Sequence, residues 1–354
     1  MSTLTKREHD EIIRGQERFL ELLLGGLSSV ALRCALQLNI ADIINSHDGP
    51  ITLSQIAQGI GSTSLNLNGL SRLMRFLVRK QIFDEVRQAE HEEPLYSLNQ
   101  CSLCLLKDKS DTLAPYGMEI TTPHIFSCLC NLNLSIKEGG TTSFKTYGYE
   151  IWDLLNHDPQ ENKSFNESMA CLTAIEIDAI MSSYDFSSLK GTLVDVAGGI
   201  GVTLNKIVTT YPHLKGINFD LPRVISSAPS YEGVSHVEGD MLTYVPPGDS
   251  FLIKKILHNW GDDKCVQLLR NCGESMINKR SGKVIIVDII LNPKGEDVFD
   301  EVRINMDMVM LAFFDGGKER TEVEWKKVLE EAGFPHYNFI KTPSFVSIIE
   351  AYME

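Results

Sequence analysis

Leu193-Val194-Asp195-Val196-Ala197-Gly198-Gly199-Ile200-Gly201 is the stretch whose reading decides the fold. Leu193 to Val196 is an apolar run carrying one acid, as in a short buried strand. A glycine-rich turn follows. From Val202 to Tyr211 the pattern is helical, with Leu204, Ile207 and Val208 on one face. In an α/β sheet, strand, glycine turn and helix start bring backbone close to a nucleotide-like ligand. The dinucleotide fingerprint G-x-G-x-x-G does not fit. Read from Gly199 its third glycine is Leu204, and read from Ala197 it is Val202. The phosphate loop G-x-x-x-x-G-K-S/T is also missing. Asp195, just before the turn, would repel a pyrophosphate but suits a cation. S-adenosylmethionine (SAM) has an ammonium, a sulfonium and no phosphate, so this stretch favours SAM over NAD.

Downstream, strands and helices alternate. Gly216 to Phe219, Val234 to Val237, Phe251 to Ile256 and Lys283 to Ile290 read as strands. Asp262 to Asn278, Val302 to Phe314 and Glu322 to Ala332 read as helices, and Tyr337 to Lys341 with Phe345 to Ala351 as a terminal strand pair. Acids recur at strand ends. Asp220 stands 19 residues after Gly201, near the offset at which an acid meets ribose hydroxyls in wound sheets. Asp240 follows the third strand and, with Met241, is placed to hold an adenine. Each acid alone is a weak signal. In register with Asp195 they are stronger, because C-terminal strand ends face one crevice.

His258, just past the fourth strand, is the candidate base. A histidine before a tryptophan is commonly a packed or surface residue, but this one falls at the ligand edge. An imidazole pKa near about 6.5 suits proton removal at neutral pH. A phenol, with a pKa of about 10, is a poor nucleophile until a base takes its proton. A carboxylate fixes the imidazole tautomer and steadies the imidazolium. Asp288, ending the fifth strand, and Glu319 are the acids available to flank it.

Ahead of the glycine turn the chain is mainly helical. Ile12 to Ser46 carries two apolar stripes, Leu20, Leu23, Leu24, Leu27 and Ala31, Ala35, Leu38, Ile43, interrupted at Gly25-Gly26. Such a pair packs either on another subunit or on its own domain. Thr52 to Ala57 opens a short helix and Asn66 to Val78 a second; Ile82 to Val86 and Leu95 to Leu98 read as strands joined by the charged loop Arg87 to Glu93. This is a winged-helix outline and raises a DNA-binding alternative. Arg72, Arg75, Arg79 and Lys80 favour it, whereas Asp84, Glu85, Glu90, Glu92 and Glu93 crowd the supposed wing. Thr112 to Glu138 and Phe144 to Tyr184 read as further helices, broken at Gly139-Gly140 and Asp158-Pro159. The turn-rich junction Asp185 to Gly191 sets the expected boundary between a helical domain, 1–184, and an α/β domain, 185–354.

The chain has 354 residues, 43% hydrophobic and 23% charged, with a formal net charge of −14. That gives room for two domains. So acidic a surface opposes a nucleic-acid partner, whose phosphates need a basic face. No run of about 18 apolar residues suggests a membrane span. Met1 to Glu11 has no signal-peptide core, so the expected compartment is cytoplasmic. Among eight cysteines, Cys101-x-x-Cys104 and Cys128-x-Cys130 hint at zinc. They sit among leucines without paired knuckles, so reduced, mostly buried thiols and no metal are expected.

Leu193–Gly201, Gly216–Pro222, Gly239-Asp240-Met241, His258-Asn259-Trp260, Gly282–Asp288 and Gly316–Thr321 together resemble the plant class II small-molecule O-methyltransferases. That family includes caffeate, isoflavonoid and benzylisoquinoline alkaloid enzymes, and the resemblance runs over nearly the whole chain. Glu150–Leu154, Gly333–Asn338 and Ile348–Ala351 are most similar to its reticuline 7-O-methyltransferase branch. The resemblance implies a Rossmann-like SAM-dependent methyltransferase domain preceded by a mainly helical winged-helix dimerisation domain, in a homodimer. It implies His258 as base, flanked by Asp288 and Glu319. It implies cofactor contacts at Asp195, Ala197, Gly198, Gly199, Gly201, Asp220, Leu221, Asp240, Met241 and Lys254, with S-adenosylhomocysteine (SAH) as product. Met169, Thr173 and Met310 fall against the aromatic acceptor, where thioethers suit a flat ring. The expected reaction methylates a phenolic hydroxyl. The expected acceptor is a benzylisoquinoline alkaloid, since acids near the site favour a cationic amine; a phenylpropanoid or flavonoid is the alternative. The chain departs from the family pattern at Ala197 (usually glycine), at Asn259 (usually an acid), near Cys130 (a tryptophan is missing) and at Phe313-Phe314-Asp315. Ala197 and Asn259 leave open a catalytically weak partner in a heterodimer.

Overall fold

The structure, a computed structural model, describes residues 5–86 and 93–354. It forms two compact units, Met1–Ile125 with Ser164–Cys171, and Phe126–Lys163 with Leu172–Glu354. The expected junction at 184–185 lies inside the second unit, just ahead of its sheet.

The first unit opens with helices Lys6–Leu24, Gly26–Gln37 and Ile40–Asn45, interrupted at Gly25 as the glycine pair predicts. The first buries none of its residues and leaves Phe19, Leu20 and Leu23 exposed. The second sends Ala35 and Leu36 into the core, and its Arg33 guanidinium binds the Met118 carbonyl and the Thr121 hydroxyl. Within Lys6–Gln37 one 18-residue window is long and apolar enough, by length and composition only, to cross a membrane.

Strand β1 (Ile51–Thr52), helices Leu53–Ile60 and Leu67–Arg79, and strands β2 (Phe83–Val86) and β3 (Leu95–Leu98) complete the winged-helix motif. Its antiparallel sheet runs β1-β3-β2. Thr52 and Gln55 close a capping box at the first helix, and Asn66 caps the second through the Gly69 N–H. Leu70, Met74 and Leu77 share one helical face and pack with Ile40, Ile56 and Phe83. Most of the expected charged loop, residues 87–92 including Glu90 and Glu92, lies outside the described residues.

The second unit is built on strands β4 (Thr192–Val196), β5 (Lys215–Asp220), β6 (Val234–Glu238), β7 (Ser250–Lys254) and β8 (Lys283–Asp288). A two-residue parallel pair follows, β9 (Ile290–Leu291) with β10 (Arg320–Thr321). Strands β11 (His336–Lys341) and β12 (Ser347–Tyr352) close the chain. The large sheet runs β11-β12-β8-β7-β4-β5-β6, parallel from β8 to β6 and antiparallel at β12 and β11. From β4 the chain winds outward to β6, then returns to β7 on the other side of β4. A crevice opens at the strand C-termini beside such a reversal. Helices Asp262–Ser275 and Glu322–Ala332 pack Leu268, Leu269, Trp325 and Leu329 on Phe251, Ile253, Val284 and Ile286. The expected fourth strand stops early, at Lys254, because Lys255 takes a left-handed φ of +55°. Cys128, Cys171, Cys265 and Cys272 are buried, but Cys101 and Cys130 are exposed; none of the eight cysteines forms a disulfide.

Ala197 also takes φ +55°, with its N–H bonded to the Phe219 carbonyl at 2.7 Å. That conformation costs a residue with a Cβ about 1–2 kcal/mol, against about 0.5–1 kcal/mol of extra chain entropy lost by glycine. Ala197→Gly is therefore expected to raise the thermal midpoint by about 2 °C. A lowered midpoint in a melting experiment would mean that the methyl packs favourably enough to outweigh its strain.

Candidate active site

His258 sits in a 3-10 turn, Leu257–Asn259, directly after β7. Its Nδ1 lies 2.8 Å from Glu319 Oε1 and 3.4 Å from Asp288 Oδ1. Asp288 ends β8, and Glu319 immediately precedes β10. A carboxylate only accepts, so Nδ1 carries the proton and Nε2 keeps the lone pair. All three side chains are buried. Burial works against the charged imidazolium, but Asp288 and then Glu319 outweigh it and raise the His258 pKa. Burial pushes Glu319 up, opposed by the adjacent His258. The second oxygens, Asp288 Oδ2 and Glu319 Oε2, are buried without a hydrogen bond. These three residues also have the donor types of a metal site, with ligand atoms within 4.8 Å of one another. A metal there would have to displace the proton that Nδ1 shares with Glu319.

The glycine turn lies between β4 and the helix Val202–Thr210. Asp195, on β4, is 1% exposed, and its Oδ2 has no hydrogen-bond partner. Burial pushes its pKa up to about 7, with Lys254 pulling down and Asp220 pushing up. Asp220 reaches back: its Oδ2 accepts from the Gly199 N–H at 2.8 Å and its Oδ1 from the Leu221 N–H at 2.7 Å. Burial raises its pKa too, against those two backbone donors. Asp240 is exposed, and its Oδ1 accepts from the Leu242 N–H at 2.9 Å; Met241 beside it is half-buried.

Sequence reading overlooked Asn218. It is fully buried on β5, and its Nδ2 donates to the Gly199 carbonyl at 2.8 Å. The same nitrogen lies 3.1 Å from His236 Nδ1. His236 Nε2 is 2.9 Å from the Pro229 carbonyl, so its Nε2 is the donor and its Nδ1 the acceptor that orients the amide. A Cβ on Gly198 would stand 2.4 Å from Asn218 Oδ1 and 2.5 Å from Asp195 Cγ. That closeness explains the glycine; an asparagine two places before a strand-end acid gives no local signal of it.

Lys254 is engaged by side chains. Its Nζ donates to Thr173 Oγ1 at 3.0 Å and to Glu176 Oε2 at 3.3 Å, while Lys255 Nζ reaches Glu176 Oε1 at 3.2 Å. Burial opposes ionising Glu176, but the two ammonium groups win and lower its pKa. Met310 is buried in the second unit, whereas Met169 belongs to the Ser164–Cys171 segment of the first.

An O-methyltransferase domain profile matches residues 130–335, and an O-methyltransferase dimerisation domain profile matches residues 20–108. The chain is 44% identical to a desmethylxanthohumol 6'-O-methyltransferase of Humulus lupulus, over 97% of this chain and 99% of that protein. It is 42% identical to an (R,S)-reticuline 7-O-methyltransferase of Papaver somniferum, over 98% and 99% respectively. In fold it is similar to human N-acetylserotonin methyltransferase in complex with SAM, with a TM-score of 0.82, 20% identity and 99% of each chain covered.

Asn218→Ala removes the brace under the glycine turn without touching His258. It is expected to weaken SAH binding about tenfold, equivalent to about 1.4 kcal/mol, with kcat at saturating SAM unchanged. Titration calorimetry and steady-state kinetics check both halves.

Proposed function

Since the chain belongs to the O-methyltransferase family of SAM-dependent enzymes, we propose that it methylates a phenolic hydroxyl of an aromatic plant metabolite with His258 as general base. The pair of carboxylates on His258 Nδ1 carries this reading. They hold the ring, supply its Nδ1 tautomer and leave Nε2 to take a phenolic proton. The raised pKa strengthens the base once it is deprotonated, and Asp288 and Glu319 steady the imidazolium that results.

The residues present suit SAM. It supplies an electrophilic methyl carbon. Asp195 offers a buried carboxylate oxygen that lacks a partner, and a cation brought against it favours the ionised form. Asp220 holds the turn through Gly199 and keeps lone pairs for hydroxyl donors. Asp240 and Met241 remain the proposed adenine contacts; Leu221, Ala197, Gly198 and Gly201 the proposed surrounding backbone. Lys254 acts in this reading through Glu176 and Thr173. We propose no metal for the reaction, because a hydrogen-bonded imidazole already provides the base.

For the acceptor, a benzylisoquinoline alkaloid is supported by the relative acting on reticuline and by Asp307. That half-buried acid accepts the Glu319 N–H at 2.9 Å on one oxygen, leaving the other for an ammonium. A flavonoid-type phenol is the second reading. It is favoured by the relative acting on desmethylxanthohumol and by Asp288 and Glu319 being committed to His258. Met169, Thr173 and Met310 are the proposed acceptor-side contacts. Labelled SAM with a panel of catechol alkaloids, chalcones, flavonoids and hydroxycinnamates decides: turnover confined to the non-basic phenols would install the second reading.

His258→Ala is expected to lose at least about a hundredfold in kcat while binding SAH normally; full turnover would sink the base assignment. Protonated His258 is no base, so wild-type kcat should rise with pH through a midpoint above the ordinary 6.5. Glu319→Gln removes one carboxylate, lowers the histidine pKa and should move that midpoint to lower pH. A midpoint unchanged in a pH–rate profile would contradict the electrostatic role given to Glu319.

We also propose a homodimer, with the bare apolar face of Lys6–Leu24 covered by a second copy. The dimerisation profile begins at residue 20, within that helix, and Leu20 and Leu23 are exposed. Leu20→Glu with Leu23→Glu should yield a monomer by size-exclusion light scattering. A persistent dimer would move the interface elsewhere.

A further inference from the structure

Arg320 has a fully buried side chain in a short strand, yet its guanidinium is spent on the turn that carries His258. One Nη donates to the Leu257 carbonyl at 3.0 Å; the other donates to the Trp260 carbonyl at 2.8 Å and to Asp262 Oδ1 at 2.7 Å. Nε donates to the same Asp262 oxygen at 2.9 Å, and the guanidinium carbon stands 5.4 Å from the Trp325 ring centroid. Cys265 Sγ donates to the same two carbonyls, at 3.1 and 3.4 Å. The Lys318 N–H takes the His258 carbonyl at 2.9 Å. The N–H groups of Asn259 and Trp260 are bonded back to Ile256 and Leu257.

Close approach of two glycines permits this clamp. A Cβ on Gly316 would stand 3.2 Å from Gly261 Cα, and one on Gly317 3.0 Å from the His258 carbonyl oxygen. Asp262, at the start of the helix Asp262–Ser275, is held ionised below the usual carboxylate range; burial opposes this, and the Arg320 hydrogen bond and charge, then Lys318, prevail.

Both described contacts of the His258 ring fall on one nitrogen, Nδ1. A ring tethered at one atom can still swing Nε2 through an arc. The position of Nε2 therefore depends on how rigidly the backbone turn is fixed. Catalytic groups need placement within about 0.5 Å and 10–20°.

We propose that Arg320, anchored by Asp262, is the positioning residue that aims His258 Nε2 at the acceptor oxygen. This rests on His258 being the base. The test compares Arg320→Lys and Asp262→Asn with wild type and His258→Ala, counting sites by SAH titration. Arg320→Lys keeps a charge for Asp262 but loses the fork that spans both carbonyls. It should lower kcat per SAH-binding site by about 10- to 100-fold, with the SAH Kd within about twofold of wild type. The acid limb of kcat should move to lower pH as the Nδ1–Glu319 contact loosens. Asp262→Asn should shift kcat and the limb in the same direction, by less. Unchanged kcat per site and an unchanged limb, with only a lower thermal midpoint, would overturn the proposal. If Arg320→Lys does not fold, Asp262→Asn decides by the same two readouts. Full turnover in His258→Ala would instead overturn the base reading on which the proposal rests.

Discussion

Two buried carboxylates brought to one imidazole nitrogen are the constraint on which the second unit depends. Asp288 and Glu319 repel each other, and neither is comfortable out of water. The proton on His258 Nδ1 reconciles them, with partners at 2.8 and 3.4 Å. The three groups come from the end of β7, the end of β8 and the lead into β10. Their meeting therefore requires the β7–β8 register, which sets Lys254 opposite Val287, and the β9–β10 pair, which sets Arg320 opposite Ile290. A slip of one residue would reverse which face each acid addresses.

The glycine turn answers to a similar constraint on the other side of the sheet's reversal point. Asp195 and Asn218 are opposite each other in the β4–β5 ladder, so both press against the turn from beneath. Their crowding leaves room at Gly198 for hydrogen alone. The amide of Asn218, oriented by His236, and the carboxylate of Asp220 then take the carbonyl and the N–H of Gly199. The backbone there is held by side chains rather than by a regular ladder, as expected where main chain must face a ligand.

The two ends of the crevice are tuned differently. At the turn, burial leaves the Asp195 carboxyl with one oxygen unpartnered and a pKa raised to about 7. At His258, each of two carboxylates already has one oxygen on the imidazole Nδ1. Acidity near the site, which the sequence made an argument for an amine-bearing acceptor, is thus largely held in the His258 cluster, where Asp288 Oδ2 and Glu319 Oε2 are buried without a hydrogen bond; Asp307 uses one oxygen on the Glu319 N–H. The acceptor is accordingly less legible than the reaction.

Local pattern alone gave the strand-turn-helix at Leu193 to Thr210, the winged-helix outline and the placing of Asp220, Asp240 and His258 at strand ends. Each is written in neighbouring residues, as periodicity, a cap or a glycine. The early end of β7, the left-handed Ala197 and Lys255, and the buried Asn218 and Arg320 became visible only in three dimensions. The pairing of His258 with Glu319 across 61 residues was expected from the sequence, but that it falls on Nδ1, at 2.8 Å, was not. The physical reason is that hydrogen bonding and desolvation act on distance in space. A side chain's partner is chosen by sheet register and loop packing, and a linear sequence records neither.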